Sequence, residues 1–381
     1  MKIVNLCLCS LVTDGWTYQD NTLPKYHQKN GHNTTIITSE FMYSDHNIIV
    51  KDSRKEYINE DGVKVVRLKS NSDKHSSRFK KFYGLYEVLE QECPDIMFIH
   101  NFQFVDIKEV VKYLKKHENV KVYADNHADF LNSASNWLSK NILHKIIWRH
   151  FAKMIEPYVT KFYGVVPARA DFLKDVYKLP EEKVELLVMG ADDEKVEEAK
   201  EGVFRGTFRK EHNIKEDDFI IISGGKIDKN KPETLELMRA VSDIKSVKLV
   251  VFGSVVPELK AEFDELCQND NIIYIGWISS KDVYKYFEAS DLAIFPGKHS
   301  VLWEQAVGMG TVCVFRKLEG FTHVDVGGNC LFIENTEALT IKRCIENIIK
   351  DKKLYYSLKE NAKEKGTKEF SYKEIAKRSI L

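Results

Sequence analysis

The sequence predicts an α/β protein built from two doubly wound domains in tandem, and three observations predict it. Short runs that are apolar throughout recur along the 381 residues, the pattern of parallel strands buried on both faces. Longer stretches with helical spacing separate most of them, as in βαβ units. The alternation pauses once, at residues 190–206, where Asp192, Asp193, Glu194, Glu197, Glu198 and Glu201 gather before a turn-like stretch, and then resumes. That pause is the expected linker between the domains.

In the first half, strands are expected at residues 2–9, 34–38, 63–68, 95–100, 120–124, 161–166 and 184–188, with helices at 20–29, 79–91 and 106–117 among those between them. The first run has a rival interpretation, because apolar residues 3–12 follow Lys2 as the core of a signal peptide would. No small-x-small cleavage pattern follows, and Thr13-Asp14-Gly15 reads as a turn, so the run is a first buried strand. In the second half, strands are expected at 219–223, 247–252, 271–274, 292–295, 311–315 and 330–333, and Lys-rich helical segments fill 336–381. Sheets of this kind bind ligands beyond the carboxyl ends of their strands, and two of them facing each other would enclose a cleft.

Composition removes several classes of function. Lys plus Arg equals Asp plus Glu at 57 each, so the chain lacks the basic footprint of an electrostatic nucleic-acid binder. No apolar run reaches the length that a transmembrane helix needs. Eight Pro and 19 Gly exclude a collagen and argue against long disordered linkers. The seven cysteines are odd in number and contain no CxxC, which points to reduced core thiols in a cytosolic protein rather than to a zinc site or a disulfide framework.

Chemistry concentrates at strand ends. The strand at 219–223 runs into Gly224-Gly225-Lys226, with Lys229, Asn230 and Lys231 ahead of a helix. Glycines let backbone N–H groups approach an anion, a helix N-terminus favours negative charge, and lysines suit a diphosphate. Read plainly, the same residues are a tight turn with solvated lysines. The strand at 292–295 continues into Pro296-Gly297-Lys298-His299-Ser300-Val301 and a helical pattern carrying Glu304. That carboxylate suits a ribose diol, or else merely complements the dipole of its helix. In the first half, Thr13-Asp14-Gly15-Trp16 follows the first strand, His100-Asn101 ends another, and His127 stands between Asp125 and Asp129 after a third. A histidine so flanked can relay a proton or bond a sugar hydroxyl, although a lone loop histidine commonly does neither.

Taken together, these segments make the chain resemble a glycosyltransferase of the GT-B class, and it is most similar to glycosyltransferase family 4 (group 1). The segment Gly31-His32-Asn33-Thr34-Thr35-Ile36-Ile37-Thr38 resembles the family's GHxVxVIT, Pro94-Asp95-Ile96-Met97-Phe98-Ile99-His100 its PDVVHxH, and Val188-Met189-Gly190-Ala191-Asp192 its NGVD. Gly225-Lys226-Ile227-Asp228-Lys229-Asn230-Lys231 resembles GRLxxxKG, Ala289-Ser290-Asp291-Leu292-Ala293-Ile294-Phe295-Pro296 resembles ADVFVxPS, and Glu304-Gln305-Ala306-Val307-Gly308-Met309-Gly310-Thr311 resembles EAMACGTP. The ordered set covers almost the full length. It implies two Rossmann-like doubly wound domains facing a cleft: an acceptor-side domain at 1–195, a nucleotide-sugar-binding domain at 203–365, and a C-terminal helix at 366–381 returning to the first.

The resemblance also implies roles. His127, Lys226 and Lys231 become the catalytic group, with Lys226 at the family's arginine position and Lys231 at its lysine position. The donor-binding set is Gly15, Gly224, Gly225, Ile278, His299, Ser300, Val301 and Glu304, and the acceptor-side set is Trp16, His100, Asn101 and Asp129. No metal or other cofactor is expected; the co-substrate is a nucleotide-diphosphate sugar, with UDP favoured, and the acceptor is a carbohydrate or a lipid-linked glycan. One departure stands out. The family's first glutamate, eight residues before the one matched by Glu304, is Pro296 here, which opens the identity of the donor sugar and the retaining stereochemistry. A degenerate sugar-nucleotide-binding protein and a GT-B epimerase are the alternatives. The expected location is cytoplasmic. Residues 69–81 and 140–169 are basic, and the second carries apolar residues at helical spacing. The stripe is read first as packing into the domain, with contact to the inner face of the cell membrane as the alternative.

Overall fold

Val4 and Leu6 on one face of the first strand, and Ile3 and Cys7 on the other, are all buried, because successive residues of a strand point to opposite sides of the sheet. A computed structural model of the chain describes residues 1–44, 48–74, 79–229 and 232–381. The chain divides into two compact units, one of Met1–Met189 with Tyr372–Leu381, the other of Gly190–Ser371.

The first unit runs β1 (Lys2–Cys7), α1 (Gln19–Lys29), β2 (Asn33–Ser39), β3 (Phe41–Tyr43), β4 (Ile49–Lys51), β5 (Glu56–Ile58), β6 (Lys64–Leu68), α2 (Leu85–Glu92), β7 (Ile96–His100), α3 (Ile107–Leu114), β8 (Lys121–Asn126), a π-helical run Ser139–Trp148 that continues into α4 (Arg149–Ile155), β9 (Val159–Gly164), α5 (Pro167–Asp175) and β10 (Val184–Leu186). Eight strands form one sheet in the order β10-β9-β8-β7-β1-β2-β6-β5, parallel except for β5. From β1 the chain fills the β2–β6 side, then returns to lay β7 against β1 in the register Ile3↔Ile96 and works outward to β10. The switch point is therefore the β1/β7 pair.

The second unit runs α6 (Asp193–Glu201), α7 (Phe204–Glu211), β11 (Phe219–Gly224), α8 (Glu233–Val241), β12 (Val247–Phe252), α9 (Pro257–Leu266), β13 (Ile272–Tyr274), α10 (Val283–Ala289), β14 (Leu292–Phe295), α11 (Leu302–Met309), β15 (Cys313–Arg316), β16 (Cys330–Ile333), α12 (Ala338–Lys350), α13 (Lys352–Asn361) and α14 (Thr367–Glu369). Its sheet has the order β13-β12-β11-β14-β15-β16, all parallel, and its switch point is the β11/β14 pair. The last helix, α15 (Tyr372–Arg378), belongs to the first unit.

Three expectations change. The acidic pause at 190–206 is not an open linker. Asp192 caps α6 by accepting the Glu194 N–H at 3.2 Å, and acidic residues in a first turn complement the helix dipole. An expected boundary at 195 would thus cut α6, whereas the chain passes between units at Met189/Gly190 and again at Ser371/Tyr372. The helix expected at 79–91 begins only at Leu85, after Gly84 in the left-handed region at φ 81°. The short β3–β4 hairpin and the antiparallel edge strand β5, three residues each, are not anticipated. Among the described residues, no helix is long and apolar enough to cross a membrane. Cys7, Cys313 and Cys330 are buried, and all seven cysteines are free thiols.

The return of the chain to the first unit is tightly made. Tyr372 stacks on Tyr26 with centroids 6.4 Å apart, His27 Nε2 and Ser379 Oγ share a buried hydrogen bond of 2.9 Å, and the Tyr123 hydroxyl donates to the Ile380 carbonyl at 3.1 Å. Tyr372 and Ile375 are fully buried, and each such side chain is worth about 1.5–3 kcal/mol. Deleting residues 372–381 is expected to destabilise the first unit by about 3–5 kcal/mol, read as an earlier unfolding transition in denaturant while the second unit's transition stays in place.

Candidate functional site

In the first unit the carboxyl ends of β1, β7 and β8 converge on Asp125. Its Oδ1 accepts the Asn101 N–H at 2.8 Å. Its Oδ2 lies 3.0 Å from His100 Nδ1 and 3.5 Å from His127 Nε2. Burial by itself would raise the Asp125 pKa, but the two histidines, His127 first, hold the carboxyl well below its usual range. Burial likewise opposes charge on His100, yet Asp125 and then Asp20 outweigh it and raise that imidazole. Asn101 adopts a left-handed φ of 56°, a strained conformation for a residue with a side chain, and its Oδ1 accepts the His127 N–H at 2.9 Å. The result fixes His127 at the rim of a cavity of about 310 Å³, lined also by Cys9, Lys80, Asn101, Gln103 and His144.

The other first-unit candidates divide. His100 is fully buried and supports Asp125 rather than facing the cavity. Asp129 is held within its own loop, accepting the Leu131 and Asn132 N–H groups at 2.7 and 2.8 Å and pairing with Arg169 at 3.0 Å. Gly15 makes the turn after β1 at φ 77°, and the neighbouring Trp16 stacks flat on Tyr43 at 4.8 Å.

In the second unit the loops after β11 and β14 leave from adjacent strands. Gly225 sits at φ 116° and its N–H donates to the Phe252 carbonyl at 3.0 Å. Gly253 sits at φ 112°, and a Cβ there would overlap the Gly225 carbonyl. A Cβ on Gly224 would run into the Phe252 ring. Two bare backbones thus pass in contact, which only glycine permits. Lys226 projects from this turn, 64% exposed, with Asp228 at 3.4 Å. Lys229 is also exposed, 3.7 Å from Glu258. Asn230 and Lys231 lie outside the described residues. Ile278 follows Gly276, which turns at φ 71° beyond β13.

Ser300 and Val301 form the entry to α11, with the Ser300 and Val301 carbonyls accepting the Trp303 and Gln305 N–H groups at 3.0 Å each. Glu304, one turn in, is fully buried. Its Oε1 accepts from His299 Nε2 at 2.7 Å and from His323 Nε2 at 2.8 Å, while Oε2 is buried without a partner. Burial would raise its pKa, but His299 and then His323 hold it well below the carboxylate range. The sequence points to His299 and Glu304 but not to His323, which arrives from a loop after β15 with no spacing that ties it to Glu304.

Two sets of side chains, among the described residues, are close enough to share a metal ion: His299, Glu304 and His323, and Cys7, Asp20 and His100. In the first set the 2.7 and 2.8 Å separations are those of charge-assisted hydrogen bonds made directly between the side chains.

Residues 204–365 match the family model described as glycosyl transferases group 1. Over its whole length the chain is similar to the crystal structure of a glycosyltransferase from Rickettsia africae, with 16% identity and a TM-score of 0.70, covering 100% of this chain and 96% of that one. It is also similar to sucrose-phosphate synthase from Thermosynechococcus elongatus, with 14% identity, a TM-score of 0.69 and coverage of 99% and 97%. The Anabaena protein HepE in complex with UDP gives 13% identity, a TM-score of 0.70 and coverage of 99% and 98%. No curated protein matches the sequence. The fold is GT-B, with two Rossmann-like domains.

The Glu304 cluster carries a test of its own. A carboxyl depressed in the folded state contributes stability that is complete above its unfolded pKa of about 4.3 and is lost as the pH falls toward the folded value. Glu304→Gln is expected to cost about 3 kcal/mol at neutral pH. The variant should also lose less Tm than the wild type when the buffer is taken from about pH 6 to about pH 3, as followed by calorimetry.

Proposed function

We propose that this chain is a glycosyltransferase of family 4 within group 1. In this reading it moves a sugar, with retention and without a metal, from a UDP-sugar to a carbohydrate or lipid-linked acceptor in the synthesis of cell-surface polysaccharide or glycoconjugate. The observation that carries the reading is the Gly224-Gly225-Lys226 turn, set at the β11/β14 switch point within the segment that matches the group 1 family model. A switch point is where adjacent loops part and leave a crevice for a ligand. At Gly225, where a Cβ would meet only the Leu302 side chain at 3.6 Å, the backbone leaves room for a diphosphate, and exposed Lys226 supplies charge. Support for UDP comes from similar structures: HepE is described in complex with UDP and with UDP-glucose.

The chemistry asked of the second unit is electrostatic. As the bond between sugar and diphosphate breaks, negative charge grows on the leaving group. Lys226, Lys231, the amide of Gly224, and the N-terminal end of α11 at Ser300 and Val301 would stabilise that charge without reorganising. The loop containing Ile278 would take the base. In the first unit His127 would orient the acceptor hydroxyl at the cavity rim, with Asp125 as its positioning residue.

A second reading, a binding protein that holds sugar nucleotides without turnover, draws on one observation. Pro296 stands where the resembled family carries the first of its paired glutamates, the one implied to contact the transferred sugar. Turnover of a UDP-sugar by purified protein decides between the two.

Two outcomes are expected. In a thermal-shift series with UDP, GDP, ADP and CMP, UDP alone should raise Tm, by the equivalent of about 2.7 kcal/mol at a hundredfold excess over Kd. The shift should survive EDTA and weaken in Lys226→Ala. In a turnover assay, His127→Ala should lower kcat by about 10² to 10⁴ while leaving the UDP shift unchanged.

A further inference from the structure

The basic amphipathic stretch of the first unit does not bury all of its apolar residues. In the helical run from Ser139 to Ile155, His144, Trp148, Phe151 and Ile155 are buried, and Leu143 and Ile147 pack against the core. Leu138, Ile142 and Ile146, spaced at one turn, face outward instead. Trp137 is 69% exposed and Leu131 59% exposed just before them. Phe79, also exposed, stacks on the buried Trp148 at 5.7 Å and so belongs with the inward-facing residues of the run. Soluble surfaces carry single exposed apolar residues as a matter of course, but a contiguous group marks an interaction site.

Charge decides what covers it. Residues 130–155 contain Lys140, Lys145, Arg149 and Lys153 and no Asp or Glu. Lys140 Nζ lies 4.8 Å from the Phe130 ring centroid, a cation held above apolar surface. The core of a protein–protein interface is depleted in lysine. A surface of Trp, Leu and Ile flanked by unopposed lysines is the pattern of a helix lying in the headgroup region of an anionic leaflet, with the rings and aliphatic chains below and the ammonium groups among the phosphates. Asn132 and Ser133, which follow exposed Leu131, help to line the cavity beside His127.

We propose that the first unit docks on an anionic lipid bilayer through residues 130–146, which brings the cavity-lining residues Asn132 and Ser133 beside the membrane surface. Docking does not depend on glycosyl transfer. Should the UDP shift fail, the lipid result still stands, and the converse also holds.

The experiment is co-flotation of the full chain with vesicles of phosphatidylcholine alone or of phosphatidylcholine containing phosphatidylglycerol. The wild type is expected to float with the anionic vesicles and to stay behind with the neutral ones. Trp137→Ser with Leu138→Ser should lower the vesicle-bound fraction at least about tenfold, and Lys140→Glu with Lys145→Glu should do the same. Both pairs are expected to keep the wild-type Tm, since the four side chains lie outside the core. Failure to float with anionic vesicles overturns the proposal, as does flotation that both double variants leave unchanged. A wild-type dimer in light scattering that Trp137→Ser with Leu138→Ser converts to monomer, without vesicle binding, would overturn it in favour of a second copy on this face.

Discussion

A parallel sheet that is wound outward in both directions from a central pair of strands must leave the ground above that pair open. The chain departs from β1 and from β7 toward opposite edges, and it does the same from β11 and β14. Loops leaving such a pair diverge, so no connection crosses the gap. Much of the chemistry in this molecule gathers at those gaps, with Asp125 and His127 one strand further out at the end of β8. The Gly224-Gly225-Lys226 turn and the entry to α11 stand at one gap, and Asn101, with the turn that holds Gly15, stands at the other. Neither gap is a decoration of the fold; each is what remains when the winding rules have been obeyed.

The two gaps are furnished differently, and the difference is electrostatic. The first unit surrounds a buried carboxylate, Asp125, with two imidazoles and a strained asparagine, so that His127 and Asn101 are held at the edge of a modest cavity. The second unit keeps its glycine turn bare and the head of Lys226 in water, while its carboxylate Glu304 is sealed beneath His299 and His323. The head of Lys226, with Asp228 3.4 Å away, stays open to an entering group, while the buried Glu304 carboxylate is satisfied on one oxygen by His299 and His323 and offers no edge to solvent.

Much of this is legible in the sequence, for physical reasons that also mark where reading stops. The strands at 247–252, 292–295 and 330–333 fall where expected to the residue, because a largely buried strand shows as a short run that is apolar but for the odd residue such as Lys248. The short elements β3, β4 and β5 have a mere three residues each, and β4 and β5 expose some of them, too few to set a period. The acidic run at 190–206 misleads because capping and solvation use the same residues, and only the hydrogen bond from Glu194 N–H to Asp192 tells them apart. Among the site residues, Gly224, Gly225 and His127 can be found because they sit directly at strand ends. The partnership of Glu304 with His323 cannot, since it joins a helix to a distant loop whose proximity is a product of packing. The engagement of Asp129 with Arg169 is hidden for the same reason.

The path of the chain between the units has a consequence for how the molecule comes into being. Residues 1–189 leave the ribosome first, yet the unit they belong to lacks its final helix until residues 372–381 have been made. During that interval the second unit, contiguous from Gly190 to Ser371, has every residue it needs, and its entry and exit are already joined where the Ala191 N–H donates to the Phe370 carbonyl at 2.7 Å. The nascent first unit meanwhile holds Tyr26, His27 and Tyr123 without their eventual cover. Order of synthesis and order of completion are therefore reversed: the half of the protein that is born first is finished last, and a chain that stalls late would carry a complete second unit beside a first one still open along α1.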